Sequence, residues 1–258
     1  MDLTSLLGPL VATGMIIAGI FAKGAGELLP TMINLPSFLI VIGGTIGALM
    51  VAYPMPDYIK CLKSITIWLK NSPANPDQIL ADIIDCAQTA RKESILALEK
   101  KRDAIQYEPL KQAVKLAVDG TDPAVIRDTL EMEAHIVMEE SEVAVKFWED
   151  FGAISPTIGI LGAVVGLMKV MASLNQPEKI GGGIMVAFVA TLYGVGVANI
   201  ACIPMGKKLK RKAMLEHHMH TMVLIGIDGI LSGLNPKLIE EKLKVFTHGG
   251  GHEEGGGK

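Results

Sequence analysis

The residues best placed to do chemistry in this chain are a few hydroxyls inside otherwise apolar segments. Thr191 and Tyr193 lie in the uncharged run AFVATLYGVGVANIACIP, and Thr157 lies in SPTIGILGAVVGL. The long apolar segments contain no Asp or Glu. A protein that moves protons with a carboxylate needs that group at membrane depth. An ion path along these segments therefore requires a second chain that supplies the titrating group.

The same hydroxyls also have a purely structural interpretation. A Thr in a membrane helix commonly donates its hydrogen to the backbone carbonyl one turn earlier. The only basic side chain inside these segments is Lys169, which lies near a segment end and can snorkel to the interface. The residues alone leave two hypotheses open: the segments anchor a domain, or they line an ion path completed by a partner.

Composition limits the class of protein. The chain has 258 residues, of which 50% are hydrophobic, with 28 glycines and a net charge of -3. This favours a membrane protein whose helices pack through small residues, and the scattered basic residues indicate no nucleic-acid face.

We see no nucleophile–base pair or phosphate loop, so we expect no enzyme and no cofactor. The run HHMH at 217–220 lacks the cysteines of a zinc site, so we expect no metal, and the three cysteines indicate no disulfide framework.

Four segments without charge clusters are long enough to cross a bilayer, which takes about 20 residues each. They lie at 3–22, within 28–56, at 151–174 and at 180–206. The predicted fold class is an all-α polytopic membrane protein with four transmembrane helices and a helical cytoplasmic domain between helices two and three. Basic residues follow the second and fourth spans, so the positive-inside rule places the intervening domain and both termini in the cytoplasm.

The segments divide the chain into five parts. We expect a hairpin of spans one and two at 1–56, the cytoplasmic domain at 57–150 and a hairpin of spans three and four at 151–206. Cytoplasmic helices at 207–247 and a flexible Gly-rich tail at 248–258 follow. PDYIKCLKSITIWLK predicts an interfacial helix with Ile59, Leu62, Ile65 and Leu69 on its apolar face. The absence of Gly or Pro between 124 and 151 predicts one long helix that continues into span three.

Three motifs in this order resemble a known family. ISPTIGILGAVVGL and MVAFVATLYGVGVANIACIP look like the last two membrane helices of the MotA/PomA flagellar stator subunits. ARKESILALE looks like their rotor-contacting segment, and the four-span order matches over almost the whole chain. The related ExbB/TolQ proteins share the pattern of the last two spans but have three spans and an external N-terminus. An ExbB/TolQ-like energiser of outer-membrane processes is therefore the alternative.

The resemblance implies a function in the bacterial inner membrane. Five such subunits would form a ring around a dimer of a MotB-like protein, whose Asp binds and releases the ion, and ion flow would turn the ring against the rotor protein FliG. Matching the motifs places the rotor contact at Arg91 and Glu99. It also places conformational coupling at Pro156 and Pro204. If Arg91 and Glu99 share one helix, their spacing of slightly over two turns puts both on one face.

The residues of the predicted ion pathway indicate which ion it conducts. The resemblance places the ion pathway at Thr157 and Thr191, together with position 190. Sodium-type members have two adjacent threonines there, where this chain has Ala190–Thr191. Because Na⁺ exchanges its water shell for several oxygens, the loss of one donor favours H⁺, with Na⁺ as the alternative.

Overall fold

The computed structural model describes residues 2–70 and 75–248. Within these ranges the regular structure is helical and contains no strand, which confirms the predicted fold class. Four helices are long and apolar enough to cross a membrane: Leu3–Ala22, Leu35–Ala52, Pro123–Ala172 and Ile180–Leu231. The Gly-rich tail predicted at 248–258 lies, beyond its first residue, outside the described residues.

The helices follow one another with short connections. In chain order they are α1 (Leu3–Ala22), α2 (Leu35–Phe38), α3 (Gly44–Ala52), α4 (Met55–Leu69), α5 (Pro76–Lys92), α6 (Glu99–Arg102), α7 (Glu108–Val118), α8 (Pro123–Ala172), α9 (Pro177–Gly196), α10 (Ile203–Leu231) and α11 (Pro236–His248). Two π-helical segments interrupt the spans. Leu39–Gly43 joins α2 to α3, and Val197–Cys202 joins α9 to α10.

Side-chain caps fix where three of these helices begin. Asp2 accepts a hydrogen bond from the amide of Thr4 at 3.2 Å, which caps α1. Asn75 caps α5 by accepting from Asp77 N at 3.0 Å, and Asp122 accepts from Ala124 N at 2.8 Å ahead of α8. These contacts satisfy amides that have no partner inside the helix. α8 then runs for 50 residues without a break, so the prediction of one long helix is confirmed.

The chain forms two compact units whose boundaries differ from the five expected parts. We call the first, Met1–Asn71 with Ser141–Lys210, the span unit, and the second, Ser72–Glu140 with Arg211–Lys258, the charged unit. The segments 57–70 and 141–150, which we expected in the cytoplasmic domain, therefore belong with the spans. Their buried aromatic residues explain this placement.

The core that holds α4 in the span unit forms around Phe147. This ring is fully buried and makes edge-to-face contacts with Tyr53 and Tyr58, at centroid distances of 5.2 and 5.3 Å. Trp148 donates to Ser64 Oγ at 2.9 Å. α4 therefore buries Tyr58, Cys61 and Ser64.

The predicted apolar face of α4 is therefore not the face that packs inside the span unit. Ile59 and Leu62 are 46% and 42% exposed within the chain, which leaves the prediction of an interfacial helix in place. The aromatic side chains of α8 pack against the side of α4 that carries Tyr58. The spacing of apolar residues within α4 does not show which side faces α8.

The charged unit has its own apolar core. Its fully buried large side chains come from α5, α7, α8, α10, α11 and the turn Ile95–Leu98. They include Ile83, Leu98, Leu110, Ile126, Met222 and Leu243. At Gly226 on α10 an added Cβ would lie 2.6 Å from Ile83 Cγ2, so α5 and α10 approach closely here. This core positions the surface that carries Arg91 and Glu99.

Candidate functional site: the paired third and fourth spans

The third and fourth spans meet along a line of small residues. Gly159, Gly162 and Gly166 of α8 face Ala187, Ala190 and Gly194 of α9. A Cβ added at Gly159 would lie 3.0 Å from Ala190 O, and one at Gly166 would lie 2.9 Å from Ala187 N. The two backbones are therefore in direct contact, which is how helices associate in lipid without a hydrophobic driving force.

Gly194 is the tightest point of this seam. A Cβ there would lie 2.5 Å from Ser155 O and 3.0 Å from Pro156 Cα, both backbone atoms. Ser155 is fully buried and donates from Oγ to Gly194 O at 3.1 Å. Ser155 was not among the predicted site residues, because a serine beside Pro156 and Thr157 has no distinguishing pattern in the sequence.

Span two holds the same pair from a second side. Ser37 Oγ donates to Val186 O at 3.1 Å. Tyr193 donates its hydroxyl hydrogen to Met32 O at 2.6 Å and accepts from Asn34 N at 3.1 Å. The Tyr193 hydroxyl thus anchors the chain before span two, where its hydrogen-bonding capacity is used.

Thr191 lies at the edge of the seam. Its side chain is half-buried, and Oγ1 donates to Ala187 O at 3.2 Å, one turn earlier. The exposed Phe188, Leu192 and Val195 continue around α9 from this point. The hydroxyl oxygen therefore lies between the packed and the exposed surface of α9, and its lone pairs remain able to accept hydrogen bonds.

Thr157 lies on a different face. It is exposed, and Oγ1 donates to Ile154 O at 2.7 Å. Thr157 lies two positions before the seam residue Gly159, which is about 200° around a helix. A single chain therefore does not bring Thr157 and Thr191 to one point.

Ala190 is placed differently from both threonines. It is fully buried, and a Cβ added at Gly162 would lie 2.9 Å from Ala190 Cβ. The small side chain at 190 is thus required by helix packing in this chain.

The two predicted coupling prolines lie in different backbone settings, and only Pro204 lies near an irregular segment. Pro156 lies inside α8, where it removes one backbone donor from the helix. Pro204 is the second residue of α10, and only Ile203 separates it from the π-helical segment Val197–Cys202. π segments within helices frequently occur at functional sites. Sequence patterns gave no signal for either π segment.

A carboxylate lies just before span three. Asp150 Oδ2 accepts a hydrogen bond from the Tyr53 hydroxyl at 2.6 Å, and the side chain is half-buried. This pair was not predicted, although the sequence shows an acid directly before an apolar segment. Within the spans themselves no Asp or Glu is present.

The N-terminus is tied to the segment after span four. Lys208 Nζ lies 2.7 Å from Asp2 Oδ2 and donates to Thr4 Oγ1 at 2.7 Å. Asp2 N also donates to Leu69 O at 2.9 Å at the end of α4. These three chain segments therefore lie together at one end of the span unit.

The predicted rotor-contact residues lie in the charged unit, and both are exposed. The expectation of one helix through Arg91 and Glu99 is wrong. α5 ends at Lys92, Ile95–Leu98 forms a 3₁₀ turn, and Glu99 begins α6. The fully buried Leu98 anchors the turn, and an ion pair between Lys101 and Asp85 holds α6 to α5.

The cysteines outside the spans are buried and show no sign of a reactive thiol. Burial raises the pKa of the Cys61 thiol to about 11, with a further contribution from Asp57. Burial likewise raises the pKa of Cys86 to about 11. All three cysteines are free. Within residues 2–70 and 75–248, no three His, Cys, Asp or Glu side chains converge on a possible metal position.

Fold and site together define a polytopic α-helical membrane protein with a closely packed pair of spans that carries hydroxyls and no carboxylate. Residues 99–222 match the MotA/TolQ/ExbB proton channel family. Motility protein A of Bacillus subtilis is 31% identical over 247 residues, covering 95% of this chain and 91% of that protein. Among solved structures, C. jejuni MotAB has a TM-score of 0.90 at 32% identity and covers 99% of this chain and 98% of that one.

A second structure, the flagellar MotAB stator complex from Bacillus subtilis, has a TM-score of 0.86 at 30% identity and covers 94% of this chain and 95% of that one. The chain therefore belongs to the MotA family, and it is a flagellar stator ion-channel subunit rather than an enzyme. The relatives favour this assignment over the ExbB/TolQ alternative.

Proposed function

We propose that this chain couples H⁺ flow across the bacterial inner membrane to torque on the flagellar rotor. The observation that carries the proposal is the absence of any carboxylate from the four spans, beside a closely packed helix pair that bears Thr157 and Thr191. A titrating group must then come from another chain. We assign it to an Asp of a MotB-like subunit, with five copies of this chain around a MotB-like dimer.

The two threonines suit a wetted proton path. Each hydroxyl donates its hydrogen to a backbone carbonyl of its own helix. The lone pairs of each oxygen remain available to accept hydrogen bonds from water. In the ring, Thr157 of one copy and Thr191 of a neighbouring copy would approach the partner helix from different faces.

The identity of the ion rests on position 190. A second hydroxyl there would give Na⁺ one more oxygen, and this chain has the buried Ala190 instead. The packing against Gly162 supplies its own reason for a small residue. The missing donor nevertheless leaves fewer oxygens for a dehydrated cation, so H⁺ remains the proposed ion and Na⁺ the alternative.

The orientation follows from charge and from the tethered N-terminus. Asp2 and Lys208 lie at the same end of the span unit. Lys207, Lys208, Lys210 and Arg211 are concentrated after span four, and such clusters stay on the cytoplasmic side. We therefore place both termini in the cytoplasm, with Arg91 and Glu99 directed to FliG and with Pro156 and Pro204 as the flexible points between ion path and rotor contact.

The ion assignment is tested by swimming speed. The chain and its MotB-like partner are expressed in a non-motile strain that lacks stator genes, and sodium is replaced by potassium at equal osmolarity. We expect equal swimming in both media and loss of swimming with a protonophore. Swimming only in sodium would reject H⁺ and keep the stator assignment. Absence of swimming in both media, with the protein present in the membrane, would reject the stator assignment itself.

The hydroxyl at 191 is tested by Thr191→Val and Thr191→Ser. Valine keeps the shape and removes the oxygen, so torque should fall, whereas serine should retain most of it. Thr129→Val is the matched control, because Thr129 makes the same type of bond to Val125 O at 2.8 Å outside the spans. Equal torque for all three variants would show that the Thr191 oxygen has no part in conduction.

A further inference from the structure

α4 has a second apolar surface that the core of the span unit does not use. Met55, Ile59 and Leu62 are 54%, 46% and 42% exposed, while Tyr58, Cys61 and Ser64 on the opposite side are buried. At about 100° per residue these three exposed side chains fall within an arc of roughly 60°. We call this row the apolar edge of α4.

A row of lysines lies beside the apolar edge. Lys60 and Lys63 are exposed, and the helical repeat places both on the same flank of the edge. Lys70, directly after the end of α4, is also exposed. Asp57 is the only acid in α4, and it is half-buried toward the packed side. The exposed half of α4 therefore has an apolar edge and, beside it, a flank with Lys60 and Lys63 that also carries the exposed Ile67.

The connection to span two sets the depth of this surface. Only Tyr53 and Pro54 separate the end of α3 from the start of α4. α4 therefore begins where the hydrocarbon-crossing segment ends. An amphipathic helix at that level, with lysines on its polar part, has the features of a helix that lies in the plane of the interface.

An open cavity of about 440 Å³ adjoins the apolar edge at this elbow. It is lined by Met50, Val51, Tyr53, Pro54, Met55 and Tyr58. Its volume falls in the range of small-ligand sites, roughly 300–1,000 Å³. Met55 belongs both to the cavity and to the apolar edge, so the two surfaces are continuous.

We propose that the elbow and the exposed half of α4 form a binding site for an anionic phospholipid. The acyl chains occupy the elbow cavity and lie along Met55, Ile59 and Leu62, and the phosphate lies against Lys60 and Lys63. A lipid fits better than a protein surface because the edge is narrow, lies at the end of a span and is flanked by a single sign of charge. The site is independent of which ion the protein conducts.

The experiment measures lipid association at α4 in the full-length chain. Thr66→Cys places a fluorophore on the exposed half, because Thr66 is exposed and the three native cysteines are buried. The labelled protein is reconstituted with brominated phosphatidylglycerol or brominated phosphatidylcholine at matched mole fractions. We expect quenching by both lipids, with a clear preference for the anionic lipid that decreases at high salt.

Lys60→Gln with Lys63→Gln should reduce that preference by about fivefold for each lysine removed. The control removes two exposed lysines of the charged unit, Lys115→Gln with Lys242→Gln, and should leave the preference unchanged. Equal quenching by the two lipids, insensitive to salt and to the lysines, would overturn the headgroup site. Absence of quenching by either lipid would show that protein covers α4, as a second copy or another partner, and would also overturn it.

Discussion

At the residue scale, the contact between Gly194 and Ser155 determines how closely the third and fourth spans approach. The seam has no space for a Cβ at 194, because the nearest atoms are Ser155 O and Pro156 Cα. Backbone atoms in the middle of two helices cannot turn aside as a flexible side chain can. The seam is therefore sensitive to a single methyl group.

Gly194→Ala should destabilise the packed pair by about 1–3 kcal/mol, the usual cost of overpacking. Gly196→Ala is the matched control, because nothing lies within 4 Å of a Cβ at that position of the same helix. Thermal unfolding of the full-length protein in detergent, followed by circular dichroism, measures both variants. Equal melting temperatures for the two would contradict the close contact at 194.

The environments of the three predicted ion-pathway residues could not be predicted from the sequence. The sequence predicted an ion pathway at Thr157 and Thr191, with Ala190 standing where a second threonine would supply another oxygen. In the structure Thr157 is exposed, Thr191 lies at the edge of the seam and Ala190 is buried. Residue type could not separate these three environments. The separation depends on where the facing glycines of α8 lie, which is a property of the partner helix.

At the scale of elements, the sequence predicted where the long helices lie but not which of their faces are in contact. The 50-residue α8 followed from uninterrupted helix-forming sequence and an Asp-Pro start. The packed face of α4 was not predicted, because Phe147 and Trp148, which it contacts, come from a distant part of the chain. The π segment Val197–Cys202 was missed because it depends on hydrogen-bond register rather than on composition.

Pro204→Ala should alter the π segment that precedes it. Alanine supplies the amide hydrogen that proline lacks, so a regular α-helical ladder can extend across Val197–Cys202. We expect slower amide exchange over that segment, measured by mass spectrometry, together with reduced torque. Pro236→Ala, at the first turn of α11, is the control and should change neither. Unchanged exchange and full torque in Pro204→Ala would remove this proline from the coupling proposal.

The turn between α5 and α6 gives a second prediction at this scale. Arg91→Glu or Glu99→Lys should lower torque while leaving the amount of protein in the membrane unchanged. Both side chains are exposed, and surface charges contribute only about 0–1 kcal/mol to stability. Tethered-cell rotation and immunoblots of membranes measure the two effects.

Two further variants separate contact from folding at this turn. Lys115→Glu reverses an exposed charge on α7 and should leave torque unchanged. Leu98→Ala removes a fully buried side chain and should cost about 2–5 kcal/mol, so it should reduce protein abundance. A loss of membrane protein in Arg91→Glu comparable to that in Leu98→Ala would reassign Arg91 to structure.

At the scale of the whole molecule, the four histidines whose side chains are described all lie in the charged unit. The spans carry no acid, so protonation near neutral pH is confined to groups outside them. Of the four histidines whose side chains are described, His135, His217 and His218 are exposed and only His220 is buried, at 6% exposure. Its ring lies 6.0 Å from Tyr107, and its Nε2 lies 3.9 Å from Glu216 Oε1.

Burial lowers the pKa of His220 below its usual 6.5, and it outweighs the opposing effects of Glu216 and Glu133, while His217 adds to the decrease. The folded protein then binds fewer protons than the unfolded chain between the lowered pKa and 6.5. Stability contributed by neutral His220 is therefore fully present above pH 6.5 and is lost as the pH falls through that window, with a slope of at most about 1.4 kcal/mol per pH unit.

The melting temperature of the full-length protein should accordingly decrease as the pH is lowered from neutrality, and His220→Gln should flatten this dependence. Glutamine stays neutral through the window and keeps a polar group beside Glu216. His135→Gln is the control, because that side chain is 73% exposed and should leave the slope unchanged. If His220→Gln retained the full pH dependence, the acid sensitivity would have to arise from another group. In that case the buried histidine would be energetically silent, and the lower stability at acid pH would reflect the many surface carboxylates of the charged unit instead.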